Sequence, residues 1–141
     1  GYNSRLDTIQ SAILIKKIEY LQEWTLKRQK AAAKYSNILS DYLPTPIISD
    51  NCEHVFHIYV IQISEREKFM GYMEENQIFC NIHYPIPLHL QPCMKFLGYK
   101  KGDFPNVESI CDNIVSLPIF PEISTDQIDY TCSKIKSYLK R

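Results

Sequence analysis

The segment that organises this chain is Asn81-Ile82-His83-Tyr84-Pro85-Ile86-Pro87-Leu88-His89-Leu90-Gln91-Pro92. Its three prolines fix φ and remove backbone donors, so we expect an extended, non-helical path through the segment. A rigid path of this kind can serve as a simple connection. It can also aim side chains at a ligand, since binding groups are common on loops held by a rigid scaffold. The candidate binding residues are His83, Tyr84 and His89.

The composition indicates a chain with enough apolar residues for one buried core. Its 141 residues are 45% hydrophobic and 12% aromatic, which fits a single domain. Sixteen basic and 16 acidic residues cancel, so the net charge gives no attraction to nucleic acid or to an anionic membrane surface. No apolar segment is long enough to span a bilayer. The chain opens without a signal peptide or an initiator methionine, so we expect it to be part of a longer protein.

The five cysteines are scattered and odd in number: Cys52, Cys80, Cys93, Cys111 and Cys132. This pattern argues against a disulfide framework and favours a reducing compartment, so we expect a cytoplasmic protein. A structural zinc site normally has paired ligands at short spacing. The sequence contains no such pairs, and no metal site is predicted.

The first 43 residues have the pattern of a long helix. Ser4 and Asp7 resemble a capping box, and apolar residues then recur at helical spacing until two prolines end the pattern. We expect one long helix, or two helices with a bend near residues 24–27. Residues 12–15 are apolar on nearly every side, which predicts burial by this domain or by a surface outside the chain.

Three later segments have the pattern of strands: residues 55–63, 78–82 and 115–118. The first is apolar on both faces, as in a central strand covered on two sides. His57 within it is therefore expected to be a hydrogen-bonded core or edge residue, not a catalytic one.

Helices are predicted between these strands from their start and stop signals. The signals are Ser64-x-x-Glu67, Asn76 as a C-cap, Gly98 at the end of residues 91–97, Asp103 before Pro105, and Ser124-x-x-Gln127. The order of elements predicts an α+β fold, a small, mainly antiparallel sheet with helices packed on it, led by the long N-terminal helix. We expect a leading helix or helix pair over residues 1–43 and an α/β subdomain over residues 54–141.

The sequence contains no common catalytic motif. It has no Gly-rich phosphate loop, no nucleophile elbow, no zinc-protease motif and no paired-carboxylate signature. None of its twelve lysines occupies an apolar setting of the kind that activates a nucleophilic amine. The residues by themselves therefore assign no catalytic group.

Five motifs occur in a fixed order along the chain. Residues 1–12 read G-Y-N-S-R-L-D-T-I-Q-S-A, and residues 83–92 read H-Y-P-I-P-L-H-L-Q-P. Residues 97–99, 102–105 and 116–121 follow as L-G-Y, G-D-F-P and S-L-P-I-F-P. In this order they resemble the motifs of the DegT/DnrJ/EryC1/StrS family of sugar-nucleotide aminotransferases. The resemblance runs from the first residue to about residue 138, and the ordered set is far more specific than any single motif.

This resemblance implies the C-terminal portion of a fold type I aminotransferase that depends on pyridoxal phosphate. The family's large domain, with the Schiff-base lysine and most of the cofactor pocket, would lie upstream of this chain. Asn3 and Arg5 would reach across a dimer interface to the phosphate of the neighbouring subunit's cofactor, which suits an amide and a guanidinium. His83, Tyr84 and His89 would line the sugar-nucleotide side of the pocket.

Local roles stay open for two of these positions. Asn3 can cap the first helix, and Arg5 can form a surface ion pair with Asp7. Without the resemblance, these local roles would be favoured for both residues.

The resemblance also implies a reaction and a set of partners. The longer protein would move an amino group, with glutamate as the expected donor, onto a nucleotide-linked keto-sugar for polysaccharide biosynthesis. Its partners would be the nucleotide sugar, the missing N-terminal large domain and a second copy in a homodimer. We expect the present chain to be inactive and not to retain pyridoxal phosphate. The alternative function is a non-catalytic interaction or regulatory module that keeps this fold.

Overall fold

The computed structural model describes residues 5–141. Along the chain its elements are α1 (Thr8–Ile18), α2 (Leu21–Leu39), β1 (Tyr59–Gln62), α3 (Arg66–Glu75), two 3₁₀-helices (Leu88–Leu90 and Pro92–Leu97), α4 (Pro105–Asn113), β2 (Ile114–Leu117) and α5 (Thr125–Leu139). The two strands form an antiparallel sheet on which helices pack. The predicted α+β fold is therefore confirmed.

The leading region contains two helices, one of the two predicted arrangements, but the break lies earlier than predicted. It falls at residues 19–20, whereas we expected a bend near residues 24–27. The Tyr20 amide donates to the Lys17 carbonyl at 3.1 Å, a tight turn that ends α1. The Trp24 amide donates to the Tyr20 carbonyl at 3.0 Å, so the predicted bend lies inside regular helix.

α1 is capped by Asp7 and buries none of its own residues. The Asp7 carboxylate accepts a hydrogen bond from the Gln10 amide at 2.8 Å, while Ser4 of the predicted capping box lies outside the described residues. Ile9 is 75% exposed and Ile15 is 67% exposed. The apolar face of α1 therefore adds no buried side chain to the core formed by the rest of the chain.

The core lies between α2, α3, α5 and the sheet. Tyr35 and Leu39 of α2 are fully buried, as are Tyr59 of β1 and Ile135 of α5. The rings of Tyr35 and Tyr59 lie 5.1 Å apart, and the Tyr35 hydroxyl donates to the Pro118 carbonyl at 3.0 Å. Removal of these apolar side chains from water is the main force that stabilises the fold, and the buried hydroxyl keeps a hydrogen-bond partner.

The sheet is smaller than the sequence predicted. β1 and β2 are antiparallel, with Tyr59 opposite Leu117, and the predicted third strand matches β2 to within one residue at each end. The predicted strand at residues 78–82 is wrong, because this segment meets the sheet only where Asn81 and Ser116 exchange backbone hydrogen bonds of 2.7 and 3.1 Å. An apolar run shows that a segment is buried, but it does not show that each backbone group has a neighbouring strand to pair with.

The predicted strand at residues 55–63 is correct only over β1. The Phe56 amide donates to the His54 ring nitrogen Nδ1 at 2.9 Å, and Phe56 has a φ of 48°, so the backbone leaves the extended path before the strand begins. His57 is exposed at a bend, and the prediction of a core or edge position for it is wrong.

Helix boundaries were predicted correctly where the side-chain signal was complete. Ser124 and Gln127 form the expected capping box, with hydrogen bonds of 2.9 and 3.2 Å. Asn76 is the C-cap of α3, and Gly98 has a φ of 77° at the end of the second 3₁₀-helix.

Two predicted N-caps are wrong. α3 begins after Glu65, which has a φ of 54°, and no side chain caps it, so Ser64 does not serve as the N-cap. α4 begins after Phe104, and the Asp103 carboxylate accepts from the Lys100 amide at 2.8 Å instead. In both cases a turn before the helix displaces the expected residue by one position.

None of the helices within residues 5–141 is both long and apolar enough to cross a membrane. In the same range, no cluster of three or more His, Cys, Asp or Glu side chains could hold a metal ion. All five thiols are free, and burial raises the pKa of the Cys80 and Cys132 thiols to about 11.

Candidate functional site

The proline-rich segment is fixed to the rest of the fold at both of its histidines. His83 bonds to β2 and His89 bonds to α4. The prediction of an extended path is wrong for the second half, since Leu88–Leu90 forms a 3₁₀ turn that the Leu90 amide closes onto the Pro87 carbonyl at 2.9 Å. Pro87 itself is buried. The segment therefore has a defined shape held by side chains from two other elements.

His83 and Tyr84 are adjacent, but the fold fixes the side chain of His83 and leaves that of Tyr84 largely exposed. His83 Nδ1 lies 2.9 Å from the Ser116 hydroxyl, so the strand holds the imidazole ring. Among the described residues, no protein group bonds to the other ring nitrogen, Nε2. Tyr84 is 69% exposed, and its ring stands edge-on to that of His83 with centroids 5.7 Å apart. The pair thus offers one fixed and one accessible polar group to a ligand.

A surface cavity of about 420 Å³ opens beside this pair. Ile86 and Leu88 line it from the loop, and Val107 lines it from α4. No Asp, Glu, Lys or Arg is among its lining residues, and most of them are apolar. Such a cavity suits an uncharged group that has both polar and apolar parts. His83 and Tyr84 both line it, whereas His89 does not.

His89 is held behind the cavity by a buried carboxylate. Its Nε2 lies 3.1 Å from Glu108 Oε1, and its side chain is only 9% exposed. The same carboxylate accepts from the Gly102 amide at 2.8 and 2.9 Å and from the Phe104 amide at 3.3 Å. The His89 ring packs on Phe104, with centroids 4.8 Å apart. The structure therefore separates His89 from the other two predicted binding residues.

Sequence reasoning missed Glu108. An acidic residue in the first turn of a helix that begins at Pro105 is a detectable signal, because carboxylates are favoured there. Its pairing with His89 could not be found in this way, since the two residues are 19 positions apart and on different elements.

Glu108 is held in its charged form. Burial alone would raise the pKa of its carboxyl. Hydrogen bonds from the Gly102 amide, the His89 ring and the Phe104 amide outweigh that effect, so the pKa lies below its ordinary value of 4.5.

Acid should loosen this site. A carboxyl whose pKa is lower in the folded chain than in the unfolded chain stabilises the fold above the unfolded value, and that contribution is lost as pH falls through the folded pKa. We expect the difference in urea midpoint between the unsubstituted chain and Glu108→Gln to be largest above pH 4.5 and to shrink below it. Glu67→Gln, at a side chain that is 81% exposed, is the control. A Glu108→Gln difference that stays constant through this range would contradict the prediction.

The remaining predicted site residues lie at the start of the chain. Asn3 is outside the described residues, so its roles as a cofactor ligand or a helix cap stay predictions. Arg5 is exposed, and its side chain makes no hydrogen bond or ion pair within residues 5–141. The alternative surface pair with Asp7 is not formed there, because the Asp7 carboxylate caps α1. The role of Arg5 as a phosphate ligand therefore stays a prediction.

Solved structures with this fold include aminotransferases. Streptomyces venezuelae DesV, solved in complex with a ketimine intermediate, matches all of this chain and 38% of its own with a TM-score of 0.92 and 28% identity. A DegT/DnrJ/EryC1/StrS aminotransferase from Brucella abortus matches all of this chain and 38% of its own with a TM-score of 0.89 and 31% identity. The fold is that of the C-terminal part of such enzymes.

Two sequence relatives match almost the whole of this chain. A pleiotropic regulatory protein of Geobacillus stearothermophilus is 41% identical over 99% of this chain, and a dTDP-3-amino-3,6-dideoxy-alpha-D-galactopyranose transaminase of Aneurinibacillus thermoaerophilus is 37% identical over 98%. The chain spans 39% and 38% of the length of these two relatives. The DegT/DnrJ/EryC1/StrS aminotransferase family model matches residues 1–136, and the chain belongs to this family.

Proposed function

We propose that this chain is the substrate-side, C-terminal region of an aminotransferase that depends on pyridoxal phosphate. The longer protein would transfer an amino group, with glutamate as the donor, to a nucleotide-linked keto-sugar in cytoplasmic polysaccharide biosynthesis. The observation that carries this proposal is the His83–Tyr84 pair, held beside an uncharged cavity within a family-matched segment.

The cavity has the chemistry of a sugar site. His83 Nε2 and the Tyr84 hydroxyl can each exchange a hydrogen bond with a sugar hydroxyl or keto oxygen. Ile86, Leu88 and Val107 offer apolar surface to the C–H groups of the ring. Because no cation lines the cavity, the diphosphate of a nucleotide sugar would lie outside it. We place His89 behind this substrate side, where it supports the segment that carries the pair.

The described residues fit only one end of the cofactor. Pyridoxal phosphate needs a lysine amine that is deprotonated near neutral pH and a group that keeps its pyridine nitrogen protonated. Nine of the twelve lysines are exposed, and the hydrogen bonds that Lys27 and Lys68 donate to Glu23 and Glu65 raise the pKa of both amines. When bound, the cofactor would supply an electron sink, and the residues that hold its ring would lie outside this chain. Arg5, with Asn3, would hold its phosphate.

The proposed enzyme is a homodimer with a large domain that this chain does not contain. The apolar and exposed face of α1 supports the presence of such a covering surface. In this arrangement Arg5 would bind the phosphate in the neighbouring subunit's pocket, since a guanidinium forms strong, paired hydrogen bonds with phosphate oxygens.

Two substitutions at His83 test the sugar site in the full-length protein. His83→Asn keeps an amide near the position of Nδ1, where Ser116 bonds, and loses Nε2. His83→Gln keeps an amide near the position of Nε2, so the KM for the sugar nucleotide should rise less than in His83→Asn. Loss of one hydrogen bond is worth about 0.5–1.5 kcal/mol. We therefore expect His83→Asn to raise the KM for the sugar nucleotide roughly three- to tenfold and to leave the KM for the amino donor unchanged.

The exposed His57 provides a matched control, because His57→Asn removes the same ring at a position that does not line the cavity. An unchanged sugar KM in His83→Asn, together with a lower melting temperature, would show that His83 only connects the loop to β2. Equal increases in both KM values would place His83 at a group shared by both half-reactions.

A regulatory module is the second candidate, and the name of the Geobacillus stearothermophilus relative is the observation that favours it. The two candidates differ in what precedes the chain in its reading frame. A continuous large domain with its lysine, together with transaminase activity, supports the enzyme. A full-length protein that contains no such domain and turns over no keto-sugar nucleotide supports the module.

A further inference from the structure

One carboxylate joins three segments around the cavity. Glu108 belongs to α4, Gly102 and Phe104 belong to the turn before it, and His89 belongs to the proline-rich segment. All four groups meet within hydrogen-bond distances of 2.8–3.3 Å. Such a fully satisfied polar network fixes the relative positions of its members more narrowly than apolar packing does.

The N-terminal half of α4 is held in place mainly by this network. Glu108 is its only buried residue, while the apolar side chains of Val107 and Ile110 are 44% and 43% exposed. Near its C-terminal end, α4 also accepts hydrogen bonds from the Arg66 side chain at the Cys111 carbonyl (2.6 Å) and from the Ile63 amide at the Asn113 carbonyl (2.8 Å), so Glu108 is the polar group that positions its N-terminal half.

The cavity has walls on both sides of this connection. In the loop wall, Leu88 lies immediately before His89. In the helix wall, Val107 lies immediately before Glu108. The Glu108–His89 hydrogen bond thus links the loop wall to the helix wall, one residue away from each.

The Glu108–His89 hydrogen bond also determines which ring nitrogen carries the proton in the neutral form of His89. No Lys or Arg within residues 5–141 forms an ion pair with Glu108, so its charge is met by two backbone amides and the imidazole. A charged carboxylate accepts a hydrogen bond from the Nε2–H group, so in the neutral ring Nδ1 carries the lone pair.

From these contacts we propose that Glu108 is a positioning residue for the sugar-nucleotide site, acting through His89 to set the spacing of the two cavity walls. Glu108 itself touches no part of the proposed substrate. This inference rests on the proposed function, and it assigns substrate affinity to a residue outside the cavity lining.

Kinetics of the full-length protein give the first test. We expect Glu108→Gln to raise the KM for the sugar nucleotide about tenfold, with the KM for glutamate and the rate of the glutamate half-reaction unchanged. Glu67→Gln is the matched control, since Glu67 also lies in the first turn of a helix but is 81% exposed. It should leave all of these values unchanged.

Two substitutions at His89 test whether Glu108 acts through that ring. His89→Gln can still donate to Glu108 from an amide near the position of Nε2, so we expect a nearly normal sugar KM. His89→Ala should raise the sugar KM at least as much as Glu108→Gln, and the double variant should be no worse than His89→Ala alone, because without the ring Glu108 has no link to the loop. Additive effects in the double variant would overturn the proposal.

Nitrogen NMR of the chain gives a readout that needs no activity. In its neutral form the His89 ring should be the Nε2–H tautomer, and Glu108→Gln, which replaces the charged acceptor with a neutral amide, should weaken that preference. A Glu108→Gln variant that melts at a lower temperature with unchanged sugar KM would overturn the positioning role. If the unsubstituted protein turns over no keto-sugar nucleotide at all, the proposed function fails and this role fails with it, whatever the tautomer.

Discussion

Mixed with pyridoxal phosphate and reduced with borohydride, the 141-residue chain should show no stoichiometric adduct at a unique lysine and no transaminase activity. The physical reason is the setting of its amines. All twelve lysines lie within the described residues, none is buried, and only Lys34, Lys134 and Lys136 are partly shielded. The amine of Lys34 is already engaged in an ion pair with Asp129 at 2.8 Å.

Peptide mapping by mass spectrometry after reduction measures this directly. We expect weak, scattered labelling that grows with reagent concentration and does not saturate at one site. Lys34→Arg is the informative variant, because Lys34 is the shielded lysine that pairs with a carboxylate, and its labelling pattern should match that of the unsubstituted chain elsewhere. Saturable trapping at one lysine, with turnover of glutamate, would show that the chain builds a complete cofactor site.

Leu39→Ala should lower the free energy of unfolding of the chain by about 2–5 kcal/mol, which is the range for removing a buried leucine side chain. Leu39 is fully buried in α2, within the core that also contains Tyr35 and Ile135. The substitution removes apolar contacts and leaves a cavity that the surrounding helices and sheet cannot fill completely. Urea unfolding followed by far-UV circular dichroism measures the change.

Leu26→Ala is the matched control in the same helix, because Leu26 is 50% exposed. It should change the free energy of unfolding by no more than about 0.5 kcal/mol, as is usual at exposed positions. Similar losses in the two variants would mean that α2 does not pack in the way described, and that Leu26 is covered by another surface.

The sequence predicted the features that depend on neighbouring residues. Ser124 with Gln127 formed its capping box because both partners lie within one turn, and Gly98 ended a helix because glycine readily adopts positive φ. The α+β class followed from the alternation of apolar periods, which averages over many positions and tolerates local errors.

Features that depend on distant partners were beyond the sequence. The strand pattern at residues 78–82 was apolar enough, but a strand also requires a neighbour along its whole length, and only Asn81 has one. His89 lies in a conspicuous motif, but its carboxylate partner comes from another helix. The proline-rich segment singled out His83, Tyr84 and His89 together, and neither it nor the family resemblance could show that the fold separates His89 from the other two.

α1 has a different relation to the rest of the chain from that of the other helices. Since none of its residues is buried, a substitution at Ile9 or Ile13 would change little in the free energy of unfolding of the described residues. The substitution would instead weaken the contact between this apolar face and the surface that covers it. Over evolutionary time, α1 should therefore change together with the covering surface and independently of α2 and α5, so that sequence covariation would link it to residues outside its own domain.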